Sequence, residues 1–581
     1  MKSKPLFQEH LKKYKGHYGI GAALLSISCL VQLIIPLLLG HFTDLIESMT
    51  VTKREIIGIA CWIAGIGLLS AFFRSISRIY LFRLARLLEM QVRRKLFMKW
   101  ESLSAEYFNR QRIGDLMSHA VNDLNIMRDV GMTGVFAAIE AAVLIAVAIF
   151  AMAGSVHVGL TLIVLLPLPA LTYLAYRFRT RIQDRTTMVQ EAIGGLTSRV
   201  QEFCAGIRVV KAYAQERAEM KKFQEENARN VETNRLLIEA NSSFSALSQA
   251  IVGLSYLLSV VFGGLLVMKG GISLGQFVAF NTYLTMLISP VENLGKVINV
   301  FQRGKAVDER LRHVLDTAPE VADEEDTLPM EEIEGRIECR HLSFRYPDHK
   351  QHVLEDINLS VPPGGSLAIV GKVGSGKTTL VQLLLRLYNP PEGTIFIDGR
   401  DIRGIPLQRL RQSVGFVPQE HMLFSTTIGQ NIAFDPQHYS GEQISEAAKI
   451  AQVHDNIVAF PRQFETALGE RGVSLSGGQR QRVSIARAVI KKPSILVFDD
   501  SLSAVDTETE ERILRNLKKM MKGRTTIITS HRLSAIRHAD EIIVMDHGRI
   551  VERGNHASLM KEGGLYASIY EKQTMNRAME G

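Results

Sequence analysis

The sequence predicts a membrane protein in two parts: a six-helix transmembrane domain with long cytoplasmic helical extensions, fused to an α/β domain built on a phosphate-binding loop. Three observations carry this. The first half holds six apolar stretches long enough to span a bilayer. Basic residues gather in the long connections between those stretches. The second half alternates short apolar runs with amphipathic helices around the segment GKVGSGKT, residues 371–378. Composition agrees: 581 residues are too many for one core, and 46% hydrophobic residues is high for a chain that also carries 22% charged ones.

The expected spans are about 18–40, 56–80, 134–154, 158–178, 244–268 and 276–300. The first is interrupted only by Gln32 and Pro36, and the fifth, Phe244–Met268, carries no charge. The second ends in Arg74 and Arg78, and the sixth holds Glu292 and Lys296, so those two boundaries are softer. Lysines before the first apolar stretch mimic a signal peptide, but Tyr18–Gly40 is long enough to span and has no small-x-small cleavage pattern, so it reads as a retained helix. Segment 81–132 holds nine Lys or Arg and segment 177–243 holds twelve, whereas the short loops hold Lys53, Arg54 and Lys269. The positive-inside rule therefore places the long connections, both termini and the α/β domain in the cytoplasm, and the expected location is the plasma membrane, as a multi-pass protein. The net charge of +9 is thereby explained without a nucleic-acid partner.

Both long connections have helical periodicity, with the stretches near 109–124 and 208–220 expected at their far ends. The acidic segment APEVADEEDTLPMEEIEG, residues 318–335, carries two prolines and no periodicity. It reads as a linker between a transmembrane domain (1–317) and a nucleotide-binding domain (336–581). Four cysteines lie far apart, which supports neither a disulfide framework nor a zinc site.

In the second half the strand Leu367–Val370 runs into a glycine-rich loop and then a helix. That context suits Gly371, Val373, Gly374, Ser375, Gly376, Lys377, Thr378 and Thr379 to wrap the phosphates of ATP, with backbone N–H groups and a helix N-terminus supplying positive potential. Lys377 is expected on the β- and γ-phosphates and the Thr378 hydroxyl on Mg²⁺. A buried strand, Ile495–Phe498, delivers Asp499 and Asp500; Asp499 is the expected second Mg²⁺ contact, and position 500 is where a water-activating carboxylate is expected. LSGGQ, Leu475–Gln479, sets Ser476, Gly477, Gly478 and Gln479 at the start of an amphipathic helix, a further anion site.

Taken together, these motifs resemble ATP-binding cassette proteins, and the resemblance covers essentially the whole chain. It implies that Tyr346 in LSFRYPD stacks on adenine, that Gln419 in VGFVPQEHMLF contacts Mg²⁺ and the membrane domain, and that His531 in TTIITSHRLS touches the γ-phosphate. SAVD (503–506) and TALGERG (466–472) match segments that cross between sites, and residues 107–124 and 206–216 match intracellular loops of exporters of the type IV fold. In that family two cassettes pair head to tail, each ATP lying between one chain's phosphate loop and the other's LSGGQ. Most members place Glu directly after the strand aspartate, and this chain has Asp500 instead.

An aspartate is shorter by one C–C bond, ~1.5 Å, and misplacement on that scale can cost on the order of 10²-fold. The phosphate loop is intact, so ATP is expected to bind while its hydrolysis is slow. With LSGGQ unaltered, the resemblance favours a heterodimer over a homodimer: this chain gives a slow site and lends a good signature to a second half-transporter. The implied function is ATP-driven export of hydrophobic or amphipathic drug-like compounds from the bilayer. A lipid flippase, or an ATP-gated channel or sensor subunit, is the alternative; net uptake against a gradient separates a pump from a channel. Glu140, in a span otherwise free of charge, is the substrate candidate, with a helix-packing hydrogen bond as the competing role.

Overall fold

In a bilayer each backbone N–H must find its partner within the segment, and long helices are the open-chain solution. The computed structural model describes residues 4–49, 52–323, 327, 330, 332–347, 349–435, 438–469, 475–500, 523–530 and 536–580. The chain forms two units, Met1–Glu101 with Ile113–Thr317, and Ser102–Arg112 with Ala318–Gly581.

The first unit is helical. Its main helices are Lys15–Gln32, Ile34–Glu47, Lys53–Ser102, Val135–Ser155, Leu168–Ala205, Glu216–Leu258 and Leu274–Asp316. Lys53–Ser102 has 50 residues, about 75 Å at 1.5 Å per residue. That exceeds twice the ~30 Å hydrocarbon core, as expected of spans that continue beyond the membrane. Among the described residues, five helical runs are both long and apolar enough to cross it: Lys15–Glu47, Lys53–Ser102, Ile113–Gly154, Val158–Ala205 and Glu216–Met268. The sixth expected span lies in Leu274–Asp316, where Asn281, Glu292, Asn293 and Lys296 dilute the apolar run. Buried side chains such as Leu25, Leu81, Phe280, Tyr283 and Leu284 form its core. Two buried polar groups there are paired, with Ser28 Oγ donating to the Ser70 carbonyl at 2.8 Å and Tyr283 to the Leu33 carbonyl at 2.9 Å, whereas the Tyr18 hydroxyl is buried without a partner among the described residues.

The far turns fall slightly earlier than expected. One lies at 103–112, where Ser104 and Gln111 are extended on either side of the short helix Ala105–Arg110. The other lies at 206–215, with Ile207–Ala212 between Gly206 and Ala214, whose φ is +52°. Helical periodicity resumes at once after each turn, so the pattern alone does not locate the break.

The second unit has a six-stranded sheet in the order β10-β9-β3-β8-β7-β6 and a four-stranded antiparallel sheet in the order β2-β1-β4-β5. The strands are β1 (Ile337–Phe344), β2 (Leu354–Val361), β3 (Ser366–Gly371), β4 (Ile395–Ile397), β5 (Arg400–Asp401), β6 (Val414–Val417), β7 (Ile495–Asp499), β8 (Thr525–Thr529), β9 (Glu541–Asp546) and β10 (Arg549–Gly554). All pairings in the larger sheet are parallel except β9 with β10. Every residue of β7 and β8 is buried, which is why β7 reads as a continuous apolar run rather than an alternating one.

The segment Ser102–Arg112 belongs to this second unit. Ser104 Oγ donates to Glu320 Oε2 at 2.6 Å, and Asn109 Nδ2 donates to the Tyr388 hydroxyl at 2.8 Å. The start of the expected linker is docked as well. The Ala322 carbonyl accepts from the buried Arg386 guanidinium at 2.9 Å, and Asp323 Oδ1 accepts from Leu407 N at 2.8 Å.

Candidate nucleotide-binding site

The carboxyl ends of β3 and β7 open onto a cavity of about 210 Å³, the usual ligand position in a parallel α/β sheet. Its wall contains Val373, Gly374, Ser375, Gly376, Lys377, Thr378 and Thr379 from the loop and the helix Lys377–Leu384, together with Gln419, Asp499 and Asp500. Val353 and Thr529 complete it. Gly376 has φ +101°, and a Cβ there would lie 2.7 Å from Leu354 Cδ2 and 3.0 Å from the Val353 carbonyl. Only glycine fits that turn, which aims the first N–H groups of the helix into the cavity.

Lys377 is 7% exposed, and its Nζ donates to the carbonyls of Gly371 and Lys372, both at 2.9 Å. Burial holds its ammonium below the usual lysine range, opposed by the carboxylates of Asp500 and Asp499. A phosphate arriving here would replace two loop carbonyls with a full negative charge. Ser375 Oγ is buried without a hydrogen-bond partner, an unmet polar group in the cradle.

Asp499 is 3% exposed and accepts from Thr529 Oγ1 at 2.7 Å and from Thr378 Oγ1 at 3.3 Å through the same oxygen, Oδ1. Thr529 faces it across the sheet because β7 and β8 pair in register, Asp499 with Thr529. A hydroxyl and a carboxylate facing each other beside an amide, Gln419, form an all-oxygen set that suits a magnesium ion carried by a nucleotide. Such an ion would neutralise phosphate charge.

Asp500 sits at φ +44°, and its N–H is shared between the carbonyl and the hydroxyl of Thr529, both at 3.0 Å. Asp is among the side chains that tolerate this left-handed conformation. These two bonds from one N–H fix the main chain at position 500 against the end of β8.

The other expected site residues fall elsewhere. Ser476 caps the signature helix, Gly477–Val489, in a capping box: Gln479 N donates to Ser476 Oγ at 3.2 Å, and Ser476 N to Gln479 Oε1 at 3.0 Å. Ser476 and Gly477 are exposed, and a Cβ on Gly477 would meet nothing within 4 Å. None of Ser476, Gly477, Gly478 and Gln479 lines the phosphate cavity. Tyr346 does not line it either; its hydroxyl is held by Thr379 at 3.0 Å and Gln382 at 3.1 Å, and its ring meets Phe344 and Tyr388 edge-on. His531, residues 470–472 of the TALGERG segment and residues 503–506 lie outside the described residues.

Sequence reasoning missed Thr529 and His421. Thr529 is visible only as a polar end to a buried strand. His421, two residues after Gln419, is held below the usual histidine range by burial and by Arg480, against the pull of Asp500.

In the first unit Glu140 forms an ion pair with Arg74 of the helix Lys53–Ser102. Both residues were evident in the sequence, but nothing there joined them. The pairing supports the competing helix-packing role of Glu140. Glu140→Gln is therefore expected to lower thermal stability and to reduce transport of cationic and neutral compounds alike, because Arg74 is left unpaired. Transport assays with matched compounds check this; a loss confined to cations would make the acid a drug contact.

A phosphate loop, a strand-end aspartate and a capped anion-binding helix, in one chain with long apolar helices, define a membrane transporter powered by a nucleotide. A family model described as "ABC transporter transmembrane region" matches residues 18–291, and one described as "ABC transporter" matches residues 354–503. The chain belongs to the ABC transporter family, binds ATP and is an ATP-hydrolysing, multi-pass membrane transporter with the fused membrane and ATPase domains of an exporter. It is 37% identical over 573 residues to the "Probable multidrug resistance ABC transporter ATP-binding/permease protein YheI" of Bacillus subtilis (strain 168), covering 98% of this chain and 97% of that protein. It is 36% identical over 482 residues to the "ATP-dependent lipid A-core flippase" of Syntrophus aciditrophicus (strain SB), covering 83% and 80%. The solved "Structure of a bacterial Atm1-family ABC exporter with ATP bound" matches with a TM-score of 0.80 and 26% identity over 97% of this chain and 99% of that one.

Proposed function

We propose that the chain is one half of a heterodimeric exporter of hydrophobic or amphipathic drugs, similar to the BmrC subunit of the BmrC–BmrD multidrug exporter. The nucleotide domain, 336–581, faces the cytoplasm and is joined by the linker 318–335 to a six-span domain, 1–317, in the plasma membrane. Mg·ATP binds on Lys377 and the loop glycines, with the ion on Thr378, Asp499 and Gln419, adenine near Tyr346, and His531 at the γ-phosphate. Asp500 makes this a slow site, while Ser476–Gln479 serves the partner's ATP.

The observation that carries this reading is the pairing of a short, twice-anchored Asp500 with an unaltered signature helix that is open at its end and absent from the chain's own cavity. A helix N-terminus with bare glycines attracts an anion, which the partner's ATP would supply. The purified single chain is expected to show little ATPase activity, and activity is expected to appear with the co-purified second subunit. Fast, drug-stimulated turnover by the single chain would refute the heterodimer.

Lipid flipping is the second reading, favoured by the likeness to a protein named as a lipid A-core flippase. Transport of a soluble drug into inverted vesicles, with no movement of labelled lipid, would decide for export.

A further inference from the structure

The nucleotide site is not the sole cavity of note. One of about 350 Å³ lies within the first unit, between the N-terminal helix Leu6–Lys13 and residues 88–98 of the helix Lys53–Ser102. Its floor is apolar, from the buried Leu6, Leu88 and Val92. Its rim is cationic: Lys13, Arg94 and Lys95 against one carboxylate, Glu9. Lys95 is matched by Glu9 at 3.1 Å, whereas Lys13 and Arg94 have no ion-pair partner among the described residues.

The wall also contains an unmet polar atom. His10 is 3% exposed, and its Nε2 is buried without a hydrogen-bond partner. Its Nδ1 lies 3.2 Å from Gln91 Oε1, while Gln91 Nε2 donates to the Tyr14 hydroxyl at 3.0 Å. Gln91 therefore offers His10 an acceptor. The Leu84 main chain also faces this ring as an acceptor, so His10 is held between Gln91 and Leu84.

An apolar floor beside Lys13 and Arg94, two cations without an ion pair among the described residues, describes an amphiphile with an anionic head. Position supports this too. The helix ends at Lys13, five residues before the expected start of the first span at Tyr18, a helical distance of about 8 Å. A basic pocket beside the cytoplasmic end of spanning helices is where anionic lipid headgroups are drawn.

We propose that this cavity binds the headgroup of an anionic glycerophospholipid, with the phosphate on Lys13 and Arg94. Phosphatidylglycerol, with one net negative charge, is the simplest probe of that class. The site concerns lipid held as a bound component, and it stands whether or not the transporter is a heterodimer.

The test is native mass spectrometry of the full transporter taken from nanodiscs of phosphatidylcholine alone or mixed with phosphatidylglycerol. Wild type is expected to retain phosphatidylglycerol in preference to phosphatidylcholine. Lys13→Ala with Arg94→Ala is expected to weaken retention about thirtyfold, from about 1 kcal/mol for each cation near the membrane. Met98→Trp, at an exposed position of the wall, narrows the cavity without altering charge and should also reduce retention. Lys222→Ala, paired with Glu219 elsewhere, should leave it unchanged. Equal retention of the two lipids by wild type, or undiminished phosphatidylglycerol in both the double variant and Met98→Trp, would overturn the proposal. Displacement of the lipid by inorganic phosphate alone would overturn it as well, by showing that the site recognises only an anion.

Discussion

Gly478→Glu is expected to reduce ATP turnover of the assembled pair by on the order of a hundredfold or more, the scale at which one preorganised donor is lost. Gly478 lies in the first turn of Gly477–Val489, where helical backbone imposes no need for glycine. The Ser476–Gln479 capping box need not change, and a carboxylate near a helix N-terminus stabilises the helix itself. Collapse of the helix is therefore not the expected cause of any loss. In the proposed heterodimer the harm would fall on the partner's γ-phosphate, which would meet negative charge in place of bare N–H groups. On the same proposal Asp500→Asn is expected to cost much less, because a base short by one methylene would already have lost much of its effect. ATPase assays on the two variants side by side check the difference. Equal damage from both would end the asymmetric reading.

Lys377→Ala is expected to abolish nucleotide labelling of this subunit. Each hydrogen bond from a buried ammonium to a phosphate contributes roughly 1.5–3 kcal/mol, so loss of this lysine should weaken binding on the order of a hundredfold or more. The side chain also ties the loop to itself through the carbonyls of Gly371 and Lys372, so the variant loosens the cradle as well as removing its charge. Lys372→Ala, at an exposed position of the same loop, is the matched control and should label nearly as well as wild type. Photoaffinity labelling with an azido-ATP distinguishes the two, and unchanged labelling of Lys377→Ala would show that ATP binds elsewhere.

What could be read from the sequence was what is local. The phosphate loop declares itself because glycines such as Gly376 mark backbone that other residues cannot adopt, and the signature helix because Ser476 and Gln479 cap it within four residues. The apolar spans show themselves because lipid demands unbroken runs. What stayed hidden depends on contacts between distant residues. The register of β7 and β8, which puts Thr529 against Asp499 and fixes the main chain at 500, leaves no mark on either strand alone. The pairing of Arg74 with Glu140 is hidden in the same way, as each lies in an apolar helix with its own reasons to be there. Tyr346 shows the converse. Its motif is clear in the sequence, yet its hydroxyl is engaged by Thr379 and Gln382 and its ring stands outside the phosphate cavity.

The docking of Ser102–Arg112 makes the covalent map and the mechanical map of this protein differ. Along the sequence, the ATPase body hangs from the membrane helices by a single acidic tether. In the fold the chain passes between the two units at three places: after Glu101, after Arg112 and after Thr317. Asn109 holds this loop to Tyr388 of the second unit, while Ser104 and Arg110 hold it to Glu320 at the start of the tether. Residues 102–112 thus give the ATPase unit an attachment to two helices of the first unit, Lys53–Ser102 and the one that begins at Ile113, by a path that does not run along the tether.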